Sequence, residues 1–183
     1  IERAAAAKEN GARRVSIVTS GKGMERDPDF IRILDAIAKI ISSTGLQVCA
    51  NLGTITYEQA QALAKIGVRR YAHNLETSEI FYPEVCSTHS YQERVNTLRA
   101  ATSAGMDLCT GGIIGLGETW KDRVDLAFAV KQADAKSVPI NILNPIKGTA
   151  LEALRPLPPL DIIKTFAIFR FVLPDKVIRP AGG

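Results

Sequence analysis

The sequence predicts an α/β fold in which parallel strands are covered by outer helices, arranged as a partial (β/α)8 barrel of the TIM type. Apolar, β-branched runs alternate with helical patterns along all 183 residues. Each strand–helix unit takes about 30 residues, the spacing of parallel strands joined by helical crossovers. A complete barrel usually needs about 250 residues. We therefore expect a single domain over residues 1–183 that forms an arc of about six strands, with an open doubly wound sheet as the other possible closure.

The first half of the chain begins in a helical pattern and contains three predicted strands, at 15–19, 46–50 and 71–74. Asp27 and Pro28 place a capping residue before a proline at the first helical position, and the helix that follows stops at Gly45. Thr56 and Gln59 form a capping box for the next helix. These boundaries predict two helices between the three strands.

The second half of the chain continues the same alternation, with strands predicted at 108–112, 138–143 and 176–179. Ser90 and Glu93 form a second capping box, and Thr119 opens another helix. The last helix is predicted over 161–171. The whole chain thus has six predicted strands and five predicted crossover helices.

The composition argues against several classes of protein. The net charge is only +4, and the basic residues build no continuous stripe, so no nucleic-acid partner is expected. The longest apolar stretches are shorter than the roughly 18 residues that span a bilayer, and no membrane partner is expected. Three widely spaced cysteines are typical of cytoplasmic thiols or metal ligands and not of a disulfide framework.

Polar side chains and thiols follow nearly every predicted strand, at the carboxyl ends where barrels of this kind gather their function. They are Ser16, Ser20, Cys49, Asn51, His73, Asn74, Glu76, Cys109, Thr110, Asn141, Asn144 and Arg179. Each residue alone has an ordinary reading as a buried thiol or a satisfied polar group. Together they would leave many buried polar groups in need of partners. The set therefore predicts a cavity for a polar ligand or a metal centre.

A glycine-rich segment follows the fourth strand, at residues 111–118. Its spacing does not fit the dinucleotide-binding pattern, and no matching acidic residue follows. Its glycines indicate a backbone that approaches another group closely and turns with unusual φ angles.

Several stretches of the chain, taken together, resemble the motifs of one known enzyme family. Residues 71–77 resemble that family's Tyr-Asn-His-Asn-Leu-Asp-Thr stretch, and residues 90–94 its Thr-Tyr-Gln-Glu-Arg stretch. Residues 109–118 resemble Cys-Ser-Gly-Gly-Ile-Val-Gly-Leu-Gly-Glu. Further matches come from the sixth- and seventh-strand blocks, at 138–141, 147–149, 178–179 and 181–182. The family that these motifs resemble is that of the biotin synthases, which are radical S-adenosylmethionine enzymes. The resemblance runs in order from about Gly11 to the end of the chain.

The resemblance implies an enzyme that inserts sulfur into dethiobiotin. A reduced [4Fe–4S] cluster cleaves S-adenosylmethionine to a 5′-deoxyadenosyl radical, which activates the C–H bonds. An auxiliary iron–sulfur cluster, [2Fe–2S] or a variant, donates the sulfur. The resemblance also implies a cytoplasmic homodimer that receives electrons from flavodoxin or ferredoxin.

The resemblance assigns five residues to the cofactor and substrate, and no catalytic residue. Asn74 and Glu76 would contact the cofactor's ribose, and Asn74 the substrate as well. Arg94 would hold the methionyl carboxylate, for which a bidentate guanidinium is well suited. Ile113 would pack on the adenine, and Asn141 would face the ureido ring of dethiobiotin.

The auxiliary cluster in the common family pattern is held by three cysteines and an arginine. Cys49, Cys109 and Arg179 match three of those positions, whereas Ser16 stands at the fourth, where the pattern has cysteine. An additional thiol, Cys86, lies in the loop after the strand at 71–74. One hypothesis is that Cys86 compensates for Ser16 as a cluster ligand. The alternative is that Cys86 is a plain loop thiol.

The family's C-x₃-C-x₂-C motif, which holds the catalytic cluster, has no counterpart in this sequence, nor has the last strand. We therefore expect residues 1–183 to comprise the second to seventh strand–helix units and to be inactive alone. Two other functions remain possible from the residues. One is another radical enzyme of the same branch, of the hydrogenase-maturation type, and the other is a non-catalytic α/β module that binds a small molecule.

Overall fold

The computed structural model describes residues 1–24 and 27–181, and of Asp27 only the backbone. The chain forms two compact units, which are described separately. Unit 1 comprises Ile1–His73 and Val95–Leu108, and unit 2 comprises Asn74–Arg94 and Cys109–Gly183.

The described residues contain seven helices and seven strands. The helices are α1 (Glu2–Glu9), α2 (Asp27–Thr44), α3 (Tyr57–Lys65), α4 (Tyr82–Val85), α5 (Tyr91–Ser103), α6 (Trp120–Gln132) and α7 (Pro159–Val172). The strands are β1 (Arg14–Val18), β2 (Gln47–Asn51), β3 (Arg70–Ala72), β4 (Asp107–Cys109), β5 (Gly112–Ile114), β6 (Ser137–Ile142) and β7 (Val177–Ala181). Among these helices, none combines the length and the apolar composition that crossing a bilayer requires.

Unit 1 is built on three parallel strands, with β2 between β1 and β3. Ser16 of β1 lies opposite Cys49 of β2, and Cys49 lies opposite Arg70 of β3. Val48 and Ala50, on the other face of β2, are fully buried. Because successive strand residues point to opposite faces, Ser16, Cys49 and Arg70 share the face that Val48 and Ala50 do not use.

Unit 2 is built around β6, which pairs in parallel with both β5 and β7. One face of this sheet carries Val138, Ile140 and Ile114, which are at most 1% exposed. The helices of the unit supply equally buried partners, Leu126 from α6 and Phe169 from α7. Burial of apolar side chains on one face therefore leaves the other face for polar groups.

The predicted α/β fold with parallel strands and helical crossovers is confirmed, because every strand pairing described is parallel. The capping boxes are confirmed too: the backbone N–H of Gln59 donates to Oγ1 of Thr56 at 3.3 Å, and that of Glu93 to Oγ of Ser90 at 3.2 Å. A capping hydroxyl satisfies a backbone N–H that a helix start leaves without a partner. The helix boundaries were therefore readable from sequence to within a few residues.

The strand predicted at 108–112 is wrong as one element, because the structure divides it into β4 and β5. At the break, the Gly111 N–H donates to Oδ1 of Asn74 at 3.2 Å. The Gly111 carbonyl accepts from the backbone N–H groups of Leu75 and Glu76, at 3.0 and 3.2 Å. Contacts with the segment that follows β3 thus interrupt the strand, and no local pattern of residues 108–112 indicates this. The short helix α4 was also not predicted.

Candidate functional site

Two adjacent glycines let the backbone of β5 pass close to its neighbours in unit 2. A Cβ on Gly111 would overlap the carbonyl of Pro139, and one on Gly112 would overlap the carbonyl of Glu76. The close approach expected for this segment is therefore an approach to protein backbone. Gly115 and Gly117 have φ angles of 93° and 100°, as expected where the strand becomes a turn.

The side chain of Arg94 is held by four partners in unit 2. Its Nε donates to the Tyr82 hydroxyl at 2.6 Å, and Nη1 donates to the Asn74 carbonyl at 2.8 Å and to Oε1 of Glu76 at 3.3 Å. Its Nη2 donates to Nε2 of His89 at 2.9 Å. A guanidinium has five N–H groups. The described residues engage four of them, which leaves one N–H of Nη2 for a ligand.

That Arg94 holds a carboxylate stays a prediction, and this count bears on whether the contact could be bidentate. Two parallel N–H groups would be needed for that geometry. The partner on Nη2, His89, must accept through Nε2, because arginine only donates. Its Nδ1 then carries the proton and lies 2.9 Å from Oγ1 of Thr88. In this arrangement Arg94 can offer a ligand only one hydrogen bond.

Glu76 is the second charged group of this cluster and sits in an unusual backbone conformation. Its φ angle is 71°, in the left-handed region that non-glycine residues seldom adopt, which is a common feature of functional sites. Its Oε2 is buried without a hydrogen-bond partner among the described residues. Burial raises the pKa of Glu76 and outweighs the opposing effect of the Arg94 guanidinium. The carboxylate thus has a free acceptor oxygen for hydroxyl donors of a ligand.

A second buried oxygen near the glycine pair is also without a partner. Oγ1 of Thr110 receives no hydrogen bond from the described residues, although Thr110 is fully buried. Buried polar atoms of this kind normally have partners. Glu76 and Thr110 therefore both fit a polar ligand that brings its own donors and acceptors.

Four of the predicted site residues share one face of the sheet in unit 2. Ile113 lies opposite Asn141, Cys109 opposite Ser137, and Arg179 opposite Pro139. Residues 137, 139 and 141 alternate with the buried Val138 and Ile140, so they point away from the helices. Ile113, Asn141, Cys109 and Arg179 therefore project from the face that the apolar core does not occupy.

The end of the glycine-rich segment is held by a buried ion pair that sequence reasoning missed. The Glu118 carboxylate accepts from the backbone N–H of Gly115 at 2.8 Å and from that of Leu116 at 2.6 Å. Arg123 donates through Nε to Glu118 at 2.8 Å, and its Nη1 donates to the Thr165 hydroxyl at 3.2 Å. The available signals were that Glu118 follows Gly117 and that it ends the 109–118 motif.

Cys86 is half-buried and directly follows α4. Its Sγ is 3.4 Å from Oγ1 of Thr88 and 3.5 Å from Nδ1 of His89. Burial opposes ionisation, but hydrogen bonds with Thr88 and Tyr82 outweigh it and lower the pKa of the Cys86 thiol to about 7. Tyr82 and His89, which connect Cys86 to Arg94, were not predicted. Their only signal was proximity to the 90–94 motif.

The residues predicted to hold the auxiliary cluster divide between the units. Cys49 belongs to unit 1, together with Ser16, whereas Cys86, Cys109 and Arg179 belong to unit 2. Cys49 and Cys109 are buried, and none of the three cysteines, all of them described, forms a disulfide. Within residues 1–24 and 27–181, no group of three His, Cys, Asp or Glu side chains is placed to hold a metal ion.

His73, another of the strand-end residues, is 5% exposed at the end of unit 1. Asn74 and Glu76, from the same motif, belong to unit 2. Residue 182, from the seventh-strand block, lies outside the described residues.

Comparison with known proteins identifies two family models along the chain. The Radical SAM superfamily model matches residues 1–130, and the Biotin and Thiamin Synthesis associated domain matches residues 139–183. Among curated relatives, a biotin synthase of Carboxydothermus hydrogenoformans is 50% identical over 100% of this chain and 57% of its own length. A biotin synthase of Clostridium acetobutylicum is 51% identical over 94% of this chain and 53% of its own length.

Solved structures show the same fold at low sequence identity. A methylornithine synthase superposes with a TM-score of 0.84 at 20% identity, over 97% of this chain and 54% of the other. An FeFe-hydrogenase maturase from Carboxydothermus hydrogenoformans gives a TM-score of 0.79 at 22% identity, over 97% of this chain and 44% of the other. The chain spans about half the length of the curated relatives that it matches.

Proposed function

We propose that this chain, which belongs to the Radical SAM superfamily, is part of a biotin synthase that inserts sulfur into dethiobiotin. The observation that carries this proposal is the cluster of Asn74, Glu76 and Arg94. In this cluster the buried Oε2 of Glu76 has no partner among the described residues. Identity of about half with biotin synthases along the whole chain supports the same reaction. The matched Biotin and Thiamin Synthesis associated domain supports it as well.

Members of the superfamily use S-adenosylmethionine with a [4Fe–4S] cluster, which together supply the radical that activates unreactive C–H bonds. The residues of this chain bind and orient the cofactor. Glu76 accepts hydrogen bonds from the ribose hydroxyls through Oε2, and the Asn74 side chain stays fixed on the Gly111 N–H at 3.2 Å. This assignment uses the acceptor atom that the described residues leave without a partner.

Arg94 binds the methionyl carboxylate through the remaining N–H of Nη2. Tyr82 and His89 hold the guanidinium in place at 2.6 and 2.9 Å. Because an arginine pre-organised by its neighbours loses little freedom on binding, even one charged hydrogen bond is effective.

Ile113 and Asn141 are proposed to contact the adenine and the ureido ring of dethiobiotin, respectively. The two residues lie opposite each other on β5 and β6. An amide side chain can both donate to and accept from a ureido group, which carries N–H and carbonyl groups. Neighbouring positions on one sheet face would present cofactor and substrate side by side, as a radical reaction between them requires.

The auxiliary cluster is proposed to be held by Cys49, Cys109 and Arg179, with Cys86 in place of the missing cysteine at Ser16. Buried thiols such as Cys49 and Cys109 suit iron, and the lowered pKa of Cys86 favours the thiolate form that binds metal. Replacing Cys86 by alanine in the full-length protein should lower the auxiliary iron and sulfide per chain. Unchanged auxiliary iron and sulfide would instead leave Cys86 as a loop thiol.

The full-length protein is further proposed to be a cytoplasmic homodimer that receives electrons from flavodoxin or ferredoxin. These expectations come from the resemblance to biotin synthases, with which the chain shares about half of its residues. Size-exclusion chromatography with light scattering would measure the oligomeric state of that protein.

The test of the function is anaerobic turnover by the reconstituted full-length protein with S-adenosylmethionine, a reductant and dethiobiotin. We expect formation of biotin, with 5′-deoxyadenosine released only when dethiobiotin is present. If S-adenosylmethionine is cleaved but no biotin forms, the protein is another radical enzyme of the superfamily. If the protein takes up neither iron nor sulfide, it is a binding module without radical chemistry.

A further inference from the structure

A buried carboxylate, Asp122, joins helix α6 to the segment that carries Glu76 in unit 2. The Ser78 hydroxyl donates to Oδ1 of Asp122 at 2.6 Å. Ser78 is 1% exposed and Asp122 8% exposed, so water has little access to this hydrogen bond. Burial opposes ionisation of Asp122, but hydrogen bonds from Ser78 and Thr119 outweigh it and lower the pKa of the carboxyl group. The Ser78 hydroxyl is therefore held by a charged acceptor, which forms a stronger hydrogen bond than a neutral one.

The same hydroxyl fixes the start of helix α4. It accepts from the backbone N–H of Phe81 at 3.1 Å, and the Ser78 carbonyl accepts from the backbone N–H of Tyr82 at 2.9 Å. Tyr82 is the residue whose hydroxyl accepts from Nε of Arg94 at 2.6 Å. The hydrogen bonds of Ser78 thus connect Asp122 with the support of the Arg94 guanidinium.

On the other side of Ser78, strand β5 holds the backbone of Glu76. The Glu76 carbonyl accepts from the backbone N–H of Ile113 at 2.7 Å, and the φ angle of Glu76 is 71°. A non-glycine backbone in this region costs free energy and persists only where the surrounding structure fixes it. Residues 76–82, which we call the strap, are therefore fixed to β5 at Glu76 and to α6 at Ser78.

We infer that the hydrogen bond between Ser78 and Asp122 positions the strap for the binding of S-adenosylmethionine. This inference rests on the cofactor site proposed above. Ser78 and Asp122 are positioning residues that act through Glu76, two positions earlier in the chain, and on Arg94 through Tyr82. Without the hydrogen bond, the strap adopts other conformations as well. The apparent affinity for the cofactor then falls in proportion to the fraction of molecules that keep the binding conformation.

The experiment measures the dissociation constant for labelled S-adenosylmethionine by anaerobic equilibrium dialysis, on the reconstituted full-length protein. Ser78→Ala removes the hydroxyl that joins the strap to Asp122, whereas Ser78→Thr keeps a hydroxyl at this position. Thr119→Val is the matched control, because Oγ1 of Thr119 donates to the other carboxylate oxygen, Oδ2 of Asp122, at 2.6 Å. Denaturant titration gives the free energy of unfolding of each variant, which separates a loss of affinity from a loss of stability.

We expect the dissociation constant of Ser78→Ala to rise about tenfold, which corresponds to a binding conformation in about one molecule in ten. Ser78→Thr should bind S-adenosylmethionine more tightly than Ser78→Ala. Thr119→Val should be less stable than the wild type but should bind the cofactor with wild-type affinity. In turnover, Ser78→Ala should raise the KM for S-adenosylmethionine more than it lowers kcat, because bound cofactor restores the conformation of the strap.

An unchanged dissociation constant in Ser78→Ala would overturn the inference, and so would equal losses in Ser78→Ala and Ser78→Thr. An equal rise in Thr119→Val would overturn it too, because the effect would then follow the stability of α6 and not the link to the strap. If Ser78→Ala does not fold, Asp122→Asn takes its place, since it removes the charge of the acceptor, and wild-type affinity in that variant would refute the role.

The wild-type protein shows whether a failure lies in the proposed function. If it binds no S-adenosylmethionine, the proposed cofactor site is wrong, and the inference about the strap is overturned with it. If it binds the cofactor but forms no biotin, only the proposed reaction fails, and the affinity of Ser78→Ala still decides the role of the strap.

Discussion

Replacing Arg94 by glutamine in the full-length protein tests how this cluster binds a carboxylate. Tyr82, Asn74, Glu76 and His89 engage four of the five N–H groups, so only one hydrogen bond to the ligand is lost. A hydrogen bond to a charged group contributes about 1.5–3 kcal/mol. The affinity for S-adenosylmethionine should therefore fall by about 10- to 150-fold.

Equilibrium dialysis with labelled S-adenosylmethionine measures this loss on reconstituted protein, after iron content and circular dichroism show that the variant is intact. Arg94→Lys should restore part of the affinity, because it keeps the charge without the planar fork. Tyr82→Phe serves as the matched control, since it removes the partner of Nε and leaves Nη2 untouched. Its affinity for S-adenosylmethionine should fall less than that of Arg94→Gln. An unchanged affinity in Arg94→Gln refutes the assignment of Arg94. A loss well beyond 150-fold refutes the count of one available N–H.

Two further predictions concern buried carboxylates of unit 2. Glu118→Ala leaves the buried Arg123 without its anion and should lower the free energy of unfolding by about 3–5 kcal/mol. The control is Lys39→Ala, which removes the exposed Asp35–Lys39 pair and should lower it by less than about 1 kcal/mol. Denaturant titration of both variants measures the difference, and equal losses would contradict it. Burial raises the pKa of Glu76 in the folded protein. Between the usual glutamate pKa and the raised one, the folded protein therefore holds a proton that the unfolded chain releases. The contribution of Glu76 to the free energy of unfolding thus falls as the pH rises through this range. Glu76→Gln should remove that fall, so the thermal midpoint of the variant relative to wild type should rise as the pH increases above the usual glutamate pKa. A difference that does not change with pH would show that the pKa is not raised.

Local patterns were sufficient wherever a short stretch of chain decides the structure. The capping boxes at Thr56 and Ser90 fixed two helix starts, because the hydrogen bonds span only three residues. The glycines at 115 and 117 likewise revealed a turn, because positive φ is a property of single residues. The parallel arrangement followed from the alternation of strands with helices.

Local patterns failed where distant segments meet. The break between β4 and β5 depends on Asn74 and Glu76, which lie more than 30 positions earlier in the sequence. That Tyr82 and His89 engage donors of Arg94 could not be read from the sequence, because the residues meet only on folding. The roles of Asn74, Glu76, Arg94, Ile113 and Asn141 toward the cofactor and substrate remain predictions.

The sequence by itself determined the class of fold, the helix boundaries and the resemblance to biotin synthases, since these reside in residue types and short spacings. Only the tertiary structure decided which polar atoms lack partners, and so where a ligand must supply them. Whether a buried Oε2 or Nε is satisfied depends on every neighbour that folding brings to it, and a linear pattern does not contain that information.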